Sequence, residues 1–178
     1  MMKFLKWTLF VLLGIIAILL IAGLFIKKDF TIEREVVINK PKAEVFYYIK
    51  HIKNQDTYSV WNMKDPNKKQ TFTGTDGTIG FINTWDGNSD VGAGAQEIKG
   101  IDEGSRIDME IRMKRPMENT MEAYMTTEDE GEGSTKVKWG ITGKSKYPMN
   151  VMTATMSGMM GNDLQTGLDN MKKNLESK

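Results

Sequence analysis

The sequence predicts an α+β domain behind a single transmembrane helix: a seven-stranded antiparallel sheet covered by a long C-terminal helix. Three observations carry this. Residues 7–26 run for 20 positions without a charge. Between Lys68 and Lys144, apolar and polar residues alternate in short stretches separated by Asp-Gly and Gly-rich breaks. Near the C-terminus the period changes, and Leu164, Leu168, Met171 and Leu175 fall on one helical stripe.

The first segment reads as an anchor. At ~1.5 Å per residue, 20 helical residues cover about 30 Å, the thickness of the hydrocarbon core of a bilayer. Lys3 and Lys6 precede the run, and Lys27 and Lys28 follow it. Trp7 stands where an interfacial aromatic residue belongs. A cleaved signal peptide has a shorter apolar core and ends in a small-x-small site, whereas this run ends Leu24-Phe25-Ile26-Lys27-Lys28. Residues 1–28 are therefore expected to be the anchor and residues 29–178 the folded domain. The α-amine, Lys3 and Lys6 slightly outweigh Lys27 and Lys28, which favours a cytoplasmic N-terminus and a domain outside the cytoplasm.

Composition narrows the classes. All 23 acidic residues and 22 of the 24 basic ones follow Ile26, leaving that part a formal net charge of −1. Nucleic-acid binding is not expected of so balanced a chain. With no cysteine there is no disulfide framework and no thiolate metal site.

The elements follow in order. Residues 30–38 form a first strand, with Ile32, Val36 and Ile38 in one phase. Pro41 opens a helix to about Lys50, with Glu44 at its positive end and Ala43, Phe46, Tyr47 and Ile49 at roughly helical spacing. A short second helix over residues 52–58 is expected to end before Trp61. Six strands fill residues 68–144. In the clearest of them Ile107, Met109, Ile111 and Met113 alternate with Asp108, Glu110, Arg112 and Lys114, as in a sheet with one face in water. Met121, Ala123 and Met125 alternate likewise, as do Val137, Trp139 and Ile141. Residues 151–160 read as a Met-rich helix, and a separate long helix follows a cap at Asn162 or Asp163. Lys172, Lys173 and Lys178 lie toward its negative end. That helix supplies the apolar stripe needed to cover the sheet.

These stretches resemble the START-like, or SRPBCC, superfamily, and in particular its membrane-anchored bacterial polyketide cyclase/dehydrase-like members. The resemblance rests on Ile38-Asn39-Lys40-Pro41 leading into Glu44-Val45-Phe46, on Trp85-Asp86-Gly87, and on Val91-Gly92-Ala93-Gly94. It extends through Lys138-Trp139-Gly140-Ile141-Thr142-Gly143 and Gly161-Asn162-Asp163-Leu164, in that order and spacing. It implies a helix-grip fold, in which a curved sheet wraps the terminal helix around an apolar cavity. The superfamily shares no catalytic residues, so none is carried over.

Several motifs dissolve on inspection. Asp86, Asn88, Asp90 and Glu97 occupy the first, third, fifth and twelfth positions of a calcium loop, but Val91 stands where the sharp turn needs glycine, and the flanks read as strands. A polar turn is the better reading. Gly92-Ala93-Gly94 leads into a strand rather than a helix, so it is expected to serve close packing and not a dinucleotide. His51 is the single histidine, without a nucleophile motif to serve, and reads as a helix-end surface residue. No catalytic constellation, metal or cofactor is expected.

Methionine is the suggestive residue. Twelve of 14 follow the anchor, many on inward strand phases. Methionine is flexible and polarisable, so it fills cores and also lines adaptable apolar sites. The candidate pocket comprises Trp85, Met109, Ile111, Met113, Met121, Met125, Trp139, Met156, Met160 and Leu164. The function expected is membrane-tethered binding of a hydrophobic small molecule or lipid, with the bilayer as a partner. The alternatives are a cyclase-like enzyme on an aromatic or polyketide-like substrate and a protein-interaction module.

Overall fold

A computed structural model describes residues 2–177. Helix α1 spans Met2–Phe25 and strand β1 Asp29–Ile38. Helix α2 (Lys42–Lys50), a 3-10 turn (Ile52–Thr57) and helix α3 (Val60–Met63) come next. Six strands follow: β2 (Lys69–Thr73), β3 (Ile82–Asp86), β4 (Ala93–Asp102), β5 (Arg106–Arg115), β6 (Asn119–Gly131) and β7 (Ser134–Lys144). A second 3-10 turn (Met149–Met152) leads into helix α4 (Thr153–Glu176). The seven strands make one antiparallel sheet in the order β1-β7-β6-β5-β4-β3-β2. This is the α+β architecture the alternation and the terminal stripe predict.

Four details differ from the sequence reading. Helix α1 extends beyond the apolar run and takes in Lys6, while its side chains from Phe25 back to Phe10 are mostly exposed. By length and composition it is able to cross a membrane. The second short helix is a 3-10 turn, held by the Asp76 carboxylate, which accepts the Ile52 and Lys53 N–H groups at 2.9 and 3.3 Å. Helix α3 was not expected, and Trp61 lies within it. The two C-terminal helices are one. Asn162 and Asp163 cap nothing: Asn162 accepts a bond from Thr166 as a helix-interior residue, and Asp163 pairs with Lys64. No proline interrupts residues 153–176, and the mid-helix glycines are tolerated at a cost of about 1 kcal/mol each. Lys178 lies outside the described residues.

The sheet's inner face is built in registered rows. Ile32, Ile141, Ala123, Met109 and Ile98 stand side by side across β1, β7, β6, β5 and β4. Leu164, Leu168, Met171 and Leu175 of α4 press on this face, joined by Val45, Phe46 and Ile49 of α2. Burial of one such side chain contributes roughly 1.5–3 kcal/mol. Asn170 and Asn174 donate to the carbonyls of Tyr58 and Thr57, which ties α4 to the segment beneath it. Glu176 closes the far end by accepting the Asn39 N–H at 2.7 Å. Lys172 at 2.8 Å, together with that bond, holds its carboxyl below the usual carboxylate range.

Two helix glycines make opposite predictions. A Cβ on Gly167 would stand 2.9 Å from Trp139, whose ring is wedged between Tyr58 and Trp61. Overpacking costs about 1–3 kcal/mol and outweighs the gain of roughly 1 kcal/mol in helix propensity. Gly158 faces open space. In chemical denaturation, Gly167→Ala should lower stability, and Gly158→Ala should raise it by up to ~1 kcal/mol. A stabilising Gly167→Ala would mean that Trp139 is not confined.

Candidate functional site

The two ends of the grip differ. At the far end Met171 and Leu175 of α4 are buried, and Val36 and Ile101 are partly covered. At the end where β1 begins and β7 finishes, the inner row runs Phe30, Gly143, Met121, Ile111, Gln96 and Asn83 in register. Phe30, Met121 and Ile111 are only partly buried there. The second 3-10 turn leaves Met152 exposed, and the N-terminal half of α4 that follows it leaves Met156 and Met159 exposed.

The ten candidate pocket residues separate accordingly. Met109, Met125, Trp139 and Leu164 are core, between 0 and 4 % exposed. Ile111, Met121 and Met160 are half-buried against that core, at its open margin. Met113 and Trp85 lie one row further out, flanking Gly94. Met156, at 43 % exposed, sits on the surface of α4. The structure thus groups Ile111, Met113, Met121 and Met160 toward the open end and sets the four core residues apart from them. Beyond Met113, between the β5–β6 hairpin and the segment after β7, lies an open cleft of about 750 Å³.

Polar groups were overlooked by the sequence reading. Gln96 and Gln55, both buried, donate their side-chain N–H groups to the Met109 sulfur at 3.0 and 3.8 Å. Beside Gln96, the buried Asn83 has a side-chain oxygen without a hydrogen-bond partner. An unpaired buried amide costs roughly 1–3 kcal/mol. The signal was present in the strand phases: Gln96 alternates into the row of Gly94 and Ile98, and Asn83 into that of Phe81 and Trp85. A polar residue in an apolar phase is the pattern of an orienting group in a binding site.

Electrostatics separate the two faces. Burial pushes the Tyr58 hydroxyl far above its ordinary range, and it donates to the Met125 sulfur at 3.8 Å. The other shifted groups lie toward the solvent. Arg112, then Lys99, hold the Glu97 carboxyl below the usual range. The hydrogen bond to Glu33 raises the Tyr124 hydroxyl. Glu97 is thus engaged by cations on the sheet, while Asp86 pairs with Arg115 across the turn. Gly92 shows why that turn is small: its φ is 69°, and a Cβ would stand 2.2 Å from the Arg115 carbonyl oxygen. His51 ends α2, with Nδ1 2.8 Å from the Tyr47 carbonyl oxygen. The interior therefore offers thioethers, neutral amides and a neutral phenol. Such groups orient a ligand's polar atoms.

A family model described as "Polyketide cyclase / dehydrase and lipid transport" matches residues 29–176. Solved structures of similar shape include norcoclaurine synthase from Thalictrum flavum in complex with dopamine and hydroxybenzaldehyde. Its TM-score is 0.63 at 10 % identity, over 84 % of this chain and 87 % of that one. The protein TTHA0849 of Thermus thermophilus gives 0.62 at 15 % identity, over 83 % and 97 %. A hypothetical protein of Helicobacter pylori gives 0.63 at 10 %, over 83 % and 88 %. At these identities the likeness establishes the fold alone. No curated protein matches the chain.

Proposed function

The chain belongs to the polyketide cyclase / dehydrase and lipid transport family, and we propose that it binds a hydrophobic small molecule or lipid between the sheet and α4 while α1 tethers it to a membrane. The observation that carries this reading is the contrast between two neighbouring rows of the sheet. Ile32, Ile141, Ala123, Met109 and Ile98 are all buried, whereas Phe30, Met121 and Ile111 in the next row toward α1 are left partly uncovered beside the cleft. Apolar surface removed from water contributes ~25 cal/mol per Å², so a ligand covering a few hundred Å² there gains several kcal/mol. Flexible methionines let that surface adapt to the ligand, and the Asn83 and Gln96 amides can fix its polar end. Tethering raises the local concentration of any ligand dissolved in the bilayer. The slight charge bias of the flanks of α1 favours a domain outside the cytoplasm.

Native mass spectrometry of the full chain, released from a mild detergent, tests the reading. A hydrophobic adduct that organic extraction removes is the expected result. An uncharged environment-sensitive dye should bind the extracted protein and be displaced by the recovered molecule. Absence of both adduct and dye binding in folded protein would overturn the proposal.

A further inference from the structure

The cleft at the open end carries a charge pattern unlike the rest of the surface. Lys28, Lys114, Lys144 and Lys146 line it, with Glu118 as the one lining carboxylate. Lys144 pairs with Asp29 at 3.2 Å. Among the described residues, Lys28, Lys114 and Lys146 make no ion pair. Most other strand cations are matched, as Arg112 is with Glu97 and Glu110, Lys136 with Glu130 and Arg106 with Asp108, while the unmatched Arg34 and Lys69 stand singly outside the cleft. In a domain whose formal charge after Ile26 is −1, unmatched positive charge has collected in one concave place.

That place is fixed beside the end of α1. The Asn150 side chain, 0 % exposed, donates to the Gly23 and Ile26 carbonyls at 2.6 and 2.9 Å, so the domain itself caps the last turn of the apolar helix. Tyr147, on the cleft wall, donates to the Leu20 carbonyl at 3.3 Å. The Ser145 N–H donates to the Lys28 carbonyl at 2.8 Å. Gly23 permits this contact: a Cβ there would already lie 3.1–3.3 Å from Val151, Tyr147 and Asn150. If α1 spans a bilayer, these bonds hold the lysines at headgroup depth. Met113 lies in the same cleft, and behind it the half-buried row of Ile111 and Met121 leads inward.

A basic mouth and an apolar floor, at the depth of lipid headgroups, fit one ligand chemistry. We propose that the cleft takes the anionic headgroup of a membrane lipid, its phosphate among Lys28, Lys114 and Lys146 and its apolar part over Met113 toward Met121. The proposal rests on the ligand-binding reading above and names the ligand's charge class. Ammonium groups attract phosphate as point charges, so the cleft selects for negative charge rather than for headgroup shape.

The test titrates full-length protein in a neutral detergent with phosphatidylglycerol and with phosphatidylcholine, read by native mass spectrometry. Wild type should bind phosphatidylglycerol at least tenfold more tightly. Lys114→Glu/Lys146→Glu should lose that preference. Lys69→Glu/Lys173→Glu, which changes net charge equally at exposed lysines outside the cleft, should keep it. Thermal unfolding confirms that both variants fold. Displacement of the lipid by millimolar inorganic phosphate would assign the cleft to a free anion and overturn the lipid claim. Equal behaviour of the two double variants would overturn the site. Equal binding of both lipids by wild type would overturn the charge selectivity and leave the ligand reading standing. Failure to bind either lipid, or the uncharged dye, would remove both.

Discussion

Ile16→Lys should move the protein from the membrane to the soluble fraction. Ile16 lies in the middle of α1, within an apolar run whose side chains face outward. A lysine at the centre of a spanning helix costs about 2.5–3.5 kcal/mol on the insertion scale, a shift in partition on the order of 100-fold. Alkaline carbonate extraction reads it directly: wild type stays with the pellet and the variant is released. Release of wild type by carbonate or high salt would sink the anchor and, with it, the membrane setting of the cleft. A reporter fused to the C-terminus of the wild type reads orientation in the same cells. It should be active only outside the cytoplasm, and cytoplasmic activity would reverse the orientation while leaving the ligand reading intact.

The fold was legible where one physical rule governed a stretch. Ile107, Met109, Ile111 and Met113 alternate because one sheet face meets α4 and the other meets water, and period two records that division. Leu164, Leu168, Met171 and Leu175 repeat because a helix touches the sheet along one line. Helix continuity was not legible. Gly158, Gly161 and Asn162 together look like a terminus, yet Gly161 is small because the Arg34 guanidinium lies against it. Only the paired tertiary structure gives that reason.

The candidate site was half legible for the same cause. Inward phase identified methionines, but phase cannot tell a filled row from an open one. Met109 and Met113 share a strand and a face. They differ because Gln55 of the first 3-10 turn and Gln96 close on the buried Met109, while Met113 lines the cleft. The lysines of that cleft are 28, 114, 144 and 146 in the sequence, and only the register of β5, β6 and β7 and the end of α1 brings them together.

Met109→Ala should therefore be chiefly a stability mutation, with a larger effect than truncation of Met121 at the open margin. The side chain is 2 % exposed, and truncation of such a residue costs about 2–5 kcal/mol through lost burial and the cavity left behind. A second cost adds to it. The sulfur accepts from Gln96 and Gln55, and its removal leaves two buried amides unpaired, at roughly 1–3 kcal/mol each where water does not replace it. Met121→Ala removes a half-buried side chain at the open margin and should cost much less stability. Its effect should fall on dye and lipid affinity, because the ligand surface and not the core is cut back. Lys138→Ala, with its side chain on the outer face near Glu128, should change neither. Denaturant titration and dye binding, run on all three variants, separate the two roles. If Met121→Ala costs as much stability as Met109→Ala and leaves dye binding untouched, the open end is core in disguise. The binding surface would then have to lie elsewhere on the domain.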